Sequence, residues 1–246
     1  MKTPETLLSR LQRIMPPGIE PKFRTADELL AWNRSEGEKR SAELVKENQR
    51  TRAERILGRS GICGLHRNCS FANYRVVNDG QRQALSRAKS YAQNFGMGFG
   101  SFVFSGGCGT GKNHLAAAIG NHLLKLGHTV LVVTVPDLML RVRRCYDGGE
   151  SESSLLDDLC KVDLLVIDEV GVQRETRAEW VILNQIIDRR LSSLKPVGVL
   201  TNLNAEELTN VLGARVMDRL TMDSGIWVSF TWGSYRKNVT HSRLTK

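Results

Sequence analysis

The stretch Ser101-Phe102-Val103-Phe104, followed almost at once by Gly106-Gly107-Cys108-Gly109-Thr110-Gly111-Lys112, constrains this chain more than any other segment. The short apolar run reads as a buried strand, and residues 112–126, closed by Gly127, read as a helix. Between them the glycines allow backbone turns that side chains forbid. A G-x-x-x-x-G-K loop in that setting cradles phosphate: backbone N–H groups turn inward, the helix presents its positive end, and the lysine meets the terminal phosphates as a point charge. Gly106, Gly107, Cys108, Gly109, Thr110, Gly111 and Lys112 are therefore expected to bind ATP. The next residue is Asn113, where Ser or Thr ordinarily ligates magnesium. Its amide oxygen is an acceptable hard ligand, though a weaker one than a hydroxyl.

The rest of the chain supplies a matching scaffold. Strands are predicted at 129–133, 163–167, 197–200 and 227–230. Helices are predicted at 80–94, 136–146, 152–160, 178–192, 205–211 and 214–221. Near-continuous apolar strands alternating with helices imply an α/β fold with a parallel sheet covered on both faces. Upstream, residues 3–15 read as a short amphipathic helix that includes Leu11 and stops at Pro16-Pro17-Gly18. A second helix is expected from Thr25, where Thr25-x-x-Glu28 is a capping box ahead of Leu29-Leu30, to about Leu57, with Gly37 as a place for a break. Past Trp32 this helix has few apolar residues, so it must protrude or dock on something else. The expected organisation is a small N-terminal helical extension over 1–60, a linker over 61–75 and the α/β core over 76–246.

Leu164-Leu165-Val166-Ile167 ends in Asp168-Glu169. An acid at the carboxyl end of a buried strand can hold magnesium, directly or through water, and the second acid can polarise the water that attacks the γ-phosphate. Asp168 is expected in the metal role with Asn113, and Glu169 as general base. The next strand ends in Thr201-Asn202, where a polar side chain faces the ligand of a parallel sheet. Asn202 is the better candidate to position water and Thr201 the second; both could instead cap the helix near Ala205. Arg215 and Arg219 stand four apart on one helical face. Each reads equally well as a cation inserted into a neighbouring subunit's site or as an ion-pair partner of Asp218 or other nearby acids.

The formal charge of +9 favours a polyanionic partner. The excess is uneven: residues 50–89 hold nine Lys/Arg against Glu54 and Asp79. No stretch approaches the ~20 apolar residues of a membrane span. Five cysteines without paired spacing point to a reducing compartment, and the chain is expected to be cytoplasmic. Cys63-x-x-His66-x-x-Cys69 offers three potential zinc ligands but no fourth.

Taken together, Gly109 to Leu115, Val162 to Glu169 and Arg215 to Arg219 resemble the AAA+ class and, within it, the DnaC-type bacterial replicative helicase loaders. Leu65 to Phe71 and Ile186 to Arg190 are similar to the same family. Asn113, a departure from the general loop, is itself DnaC-like. The resemblance implies a P-loop NTPase of AAA+ type that binds ATP and Mg, with His114 joining the nucleotide-binding set and Lys112, Glu169, Asn202 and Arg219 carrying catalysis. It implies that Arg219 is an arginine finger acting through self-association. It further implies that the extension grips a hexameric replicative helicase, with Trp32, Leu29 and Leu11 as contacts. The core would then hold single-stranded DNA. Arg141-x-Arg143-Arg144-x-Tyr146 suits that role, because cations track phosphates and an aromatic face stacks on bases. Tyr146, Arg143 and Arg144 are the expected contacts. Thr176 matches another family contact, whereas Ala178 stands where the family has an aromatic ring, which Trp180 could replace. Two alternatives remain: a transposition-helper ATPase of the IstB type, which binds duplex DNA, and a helicase-binding adaptor that does not depend on turnover.

Overall fold

The computed structural model describes residues 23, 25–57, 62, 64–98, 100–146, 151–171, 177–222 and 224–235. Leu11, Cys63 and Thr176, and the helix expected at 3–15, lie outside these residues. The chain divides into two units, Met1–Val45 and Lys46–Lys246.

Helix α1 (Ala26–Leu57) starts as its sequence dictates. Thr25 Oγ1 accepts the Glu28 N–H at 3.2 Å, and Asp27 and Glu28 meet the positive end of the helix. It runs through Gly37 without a break: one glycine costs a helix about 1 kcal/mol, and the surrounding Glu, Lys, Arg and Ala are good helix formers. The Trp32 ring lies 5.3 Å from that of Phe23. Leu29, Leu30, Trp32, Leu44 and Val45 are exposed.

In the second unit, five parallel strands form one sheet in the order β2-β3-β4-β1-β5. The strands are β1 (Phe102–Gly106), β2 (Val130–Thr134), β3 (Leu164–Val170), β4 (Val197–Thr201) and β5 (Ile226–Phe230). Helices α2 (Asp79–Gln93) and α3 (Lys112–Lys125) cover one face. The other face carries α4 (Val135–Tyr146), α5 (Glu152–Lys161), α6 (Arg177–Ser192), α7 (Ala205–Leu212) and α8 (Ala214–Leu220).

Period-two alternation builds both layers. Phe102, Phe104, Leu164, Val166 and Leu200 face α2 and α3, while Val103, Leu165, Ile167, Val197 and Val199 face the other helices. Rings continue the first layer, Phe102 to Phe104 at 4.7 Å and Phe104 to Phe230 at 5.4 Å. The strand opposite makes room with Gly198, whose absent Cβ would lie 2.2 Å from Phe102 Cζ.

The amino ends of the strands are tied by polar groups. Arg190, wholly buried, donates to the carbonyls of Leu159 at 2.6 Å, Val162 at 3.1 Å, Pro196 at 2.9 Å and Asp163 at 3.3 Å. Burial lowers its pKa to about 10. Beside it, the Asp163 carboxylate accepts from Thr129 N and Oγ1, both at 2.9 Å, and from Lys195 Nζ at 3.1 Å. Burial pushes the Asp163 carboxyl up, but these donors outweigh it and hold the group below its ordinary value.

Candidate ATP-binding and hydrolysis site

At the carboxyl ends of the strands, the loop between β1 and α3 takes a path that its glycines alone allow. Gly106 has φ +143, and a Cβ there would lie 2.2 Å from the Phe230 carbonyl oxygen. Gly111 has φ +101, with the Tyr74 ring 3.0 Å from its absent Cβ. Thr110 Oγ1 donates to Gly107 O at 2.8 Å and closes the loop on itself. From outside, Trp232 Nε1 donates to Thr110 O and the Tyr235 N–H to Gly109 O, each at 2.8 Å. Carbonyls that would repel a phosphate are thus held by donors.

Lys112 is nearly buried, and its ammonium donates to Gly106 O at 2.5 Å, Gly107 O at 2.9 Å and Asn202 Oδ1 at 2.9 Å. Asn202 Nδ2 in turn lies 3.5 Å from Cys108 Sγ. The pairing of β4 with β1 therefore brings Asn202 to the phosphate loop. Thr201 is buried and ties the strand end together: its Oγ1 donates to Val170 O at 2.7 Å and accepts Leu203 N–H at 3.0 Å. Neither residue caps α7, because Asn204 does so in a capping box with Glu207.

Asn113 Nδ2 donates to Asp168 Oδ2 at 2.5 Å. Burial raises the Asp168 pKa, partly offset by the Glu169 N–H at 2.7 Å, by Asn113 and by the Lys112 charge. A half-buried carboxylate that is hard to ionise alone suits a cation beside it, and Mg2+ takes one or two protein oxygens together with phosphates and water. Asn113 and Asp168 fit that requirement.

Strand β3 runs past the expected end at 167 because its register against β4 shifts between Ile167 and Val170. Within that irregularity Glu169 adopts φ +61, rare for a residue with a side chain, and stays exposed. Bulges of this kind re-aim side chains near active sites, and such a conformation costs ~1–3 kcal/mol. Cys108, Lys112, Asn113, Asp168, Glu169 and Asn202 together line a cavity of about 100 Å3.

A larger cleft, about 360 Å3, opens on the other side of the loop between Gly109–His114 and the segments holding Asn73, Tyr74, Arg75 and Tyr235. His114 borders it, with Nε2 3.1 Å from Ser70 O and its ring edge-on to Tyr74 at 5.3 Å. Arg75 donates to the Tyr235 hydroxyl at 3.2 Å and lies 5.9 Å from that ring's centre. The Tyr74 hydroxyl is buried without a hydrogen bond, and burial raises its pKa to about 12. Sequence reasoning missed Tyr74, Arg75 and Tyr235. The family-like stretch at 65–71, just upstream, was the one signal pointing there.

The remaining expected residues lie apart from this centre. Arg219 pairs with Asp188 of α6 and donates to Ser192 Oγ at 3.0 Å, so of its two sequence readings the ion pair is present, with Asp188 and not Asp218 as partner. Tyr146 and Arg144 are exposed at the end of α4, with the Tyr146 hydroxyl donating to Glu152 Oε2 at 3.0 Å. Arg143 Nε donates to Met139 O at 3.3 Å. Trp180 packs partly buried against the core. Cys69 is buried beside Ile62 and Ala117, and burial pushes its thiol pKa up. Among the described residues, no three metal-binding side chains cluster, and no helix is long and apolar enough to cross a membrane.

Residues 38–242 match the family model of the IstB-like ATP binding protein. The chain is 53% identical over 240 residues to the uncharacterized protein YdaV of Escherichia coli K12, covering 98% of this chain and 97% of that one. It is also 53% identical over 241 residues to the replicative helicase loader DnaC of the same strain, covering 98% of each. Among solved structures, the crystal structure of the DnaC helicase loader superposes with a TM-score of 0.61 at 24% identity, covering 68% of this chain and 99% of that one. Sequence and fold agree, and the chain belongs to the IstB-like ATP-binding family, in its DnaC-like branch.

Proposed function

We propose that this protein is an ATP-hydrolysing loader that places a replicative helicase hexamer on single-stranded DNA. The observation that carries the reading is the 53% identity to the DnaC loader over 98% of both chains. That match takes in sequence ahead of residue 38, where the ATP-binding family model begins. It therefore favours a loader over a transposition helper, whose likeness rests on the ATPase core.

In this reading the nucleotide base enters the cleft beside Tyr74 and Tyr235, and the phosphates lie along the loop. Lys112 exchanges its bonds to Gly106 O, Gly107 O and Asn202 for the terminal phosphates. Asn113 and Asp168 would hold magnesium, which would supply positive charge to offset that of the phosphates. Glu169 takes a proton from water as the water oxygen attacks the γ-phosphorus, and ADP leaves. Asn202, next to Lys112, holds that water in line. Arg219 reaches the γ-phosphate of a second copy, adding positive charge as the bond breaks. Tyr146, Arg143, Arg144 and Thr176 take single-stranded DNA, and Trp32, Leu29 and Leu11 contact the helicase.

Copurification with a replicative helicase hexamer tests this. A stable complex that is lost on Trp32→Ala is expected, because a large exposed indole is a common anchor of such interfaces. No complex at micromolar concentration, with cooperative coating of duplex DNA in its place, would assign the chain to the transposition-helper type.

A further inference from the structure

One carboxylate on α6 is shared by two arginines of α8. Asp188 is ion-paired with Arg219 and lies 3.7 Å from the guanidinium of Arg215, one turn earlier on the same helix. The two cations differ in freedom. The Arg219 side chain, also bonded to Ser192 Oγ at 3.0 Å, is 21% exposed, whereas that of Arg215 is 80% exposed.

A cation held in this way cannot serve another subunit until it is released. Release leaves Asp188, itself 37% exposed, with an uncompensated charge unless another cation replaces it. Arg215 stands on the same helical face and, at 3.7 Å, is already within ion-pair distance of the carboxylate, so it needs only to tighten from there. We infer that Asp188 and Arg215 form a handover device. Arg219 leaves Asp188 for the triphosphate bound by a second copy of this chain, and Arg215 closes on Asp188 as it goes. Asp188 and Arg215 are positioning residues, since neither touches the nucleotide. The carboxylate keeps one arginine throughout, so the exchange proceeds without stranding a half-buried charge. Asp188 also competes with the phosphates for Arg219, so a subunit interface lacking a triphosphate leaves the arginine in place. The inference rests on Arg219 acting between subunits as proposed above.

The test uses the full-length protein with ATP and an oligodeoxythymidylate strand. Turnover is followed against protein concentration, and self-association is followed by sedimentation velocity with AMPPCP. Arg215→Ala is expected to raise the half-maximal concentration about two- to fivefold, the scale of an exposed charge pair, and Arg215→Lys to recover most of it. Asp188→Asn is expected to lower that concentration by a similar factor. In the Asp188→Asn background, Arg215→Ala should do nothing further, because the two residues act through one exchange. Arg215 is so exposed that its variants should melt with the parent, and they decide the matter even if Asp188→Asn folds poorly. Concentration-dependent turnover that survives Arg219→Ala overturns the intersubunit reading itself. Loss of it in Arg219→Ala, together with an unchanged midpoint in Arg215→Ala or with effects of Arg215→Ala and Asp188→Asn that merely add, overturns the handover alone.

Discussion

Lys112 is buried and donates to Gly106 O, Gly107 O and Asn202, whereas Glu169 is exposed on a strained backbone, and the roles proposed for them predict different losses. In the proposed site Lys112→Ala removes the charge that would meet the phosphates, so ATP binding measured by fluorescent-nucleotide titration should fall at least ~100-fold. Glu169→Gln keeps shape and backbone but cannot accept the proton. Binding should persist while steady-state turnover drops ~100-fold or more. Normal hydrolysis by this variant would move the general base elsewhere. Gly111 adds a steric case: an alanine there would need φ near +101 with its Cβ 3.0 Å from the Tyr74 ring. Gly111→Ala should therefore cost both nucleotide affinity and thermal stability. That Asp168 and Glu169 stand beside the phosphate loop was legible as an acid pair ending an apolar run. That Glu169 sits within a register shift was not, because it depends on how β3 meets β4.

Elements bring distant groups together, and their junctions carry the stability. Arg190 joins the end of α5 to the starts of β3 and β4 through four carbonyls. Arg190→Met would leave buried carbonyls unmet at ~1–3 kcal/mol apiece, so urea unfolding should show a loss of several kcal/mol. Asp163, beside it, reports on pH. Its folded pKa lies below its unfolded value near ~3.9, so its stabilisation is present above that value and is lost as pH falls through the folded pKa. Asp163→Asn should therefore be about 1–2 kcal/mol less stable at pH 7, and the gap should close in strongly acidic buffer. At the end of α4, Tyr146 is 67% exposed, and its hydroxyl is engaged by Glu152. Tyr146→Ala should weaken binding of single-stranded DNA ~10-fold at constant salt and leave ATP affinity unchanged, as an anisotropy titration would show.

Across the whole molecule, the two units carry different kinds of information. A fragment starting at Lys46 contains every nucleotide-site residue and should bind ATP within about threefold of the full chain, while failing to copurify with the helicase. Element types and order, the parallel sheet, the phosphate loop and the acid pair were legible in the sequence because each is a local pattern. Burial on both faces makes β-strands uniformly apolar, helices repeat every 3.6 residues, and a phosphate loop must place its glycines in a fixed order. The unbroken course of α1 was less legible, since Gly37 marked a weak point that good helix formers on either side override.

Tertiary structure alone decided which groups meet across long separations. Lys112 and Asn202 are 90 residues apart, Thr110 and Trp232 are 122 apart, and Asp188 faces Arg219 across 31. Sequence spacing offers no measure of such contacts, because loops of many lengths can close at nearly equal entropic cost. The phosphate loop, read first from seven residues, is in the folded chain also built by Phe230, Trp232, Tyr235 and Tyr74. The sequence determined that the chain binds a triphosphate. Strand order and packing decided what surrounds it.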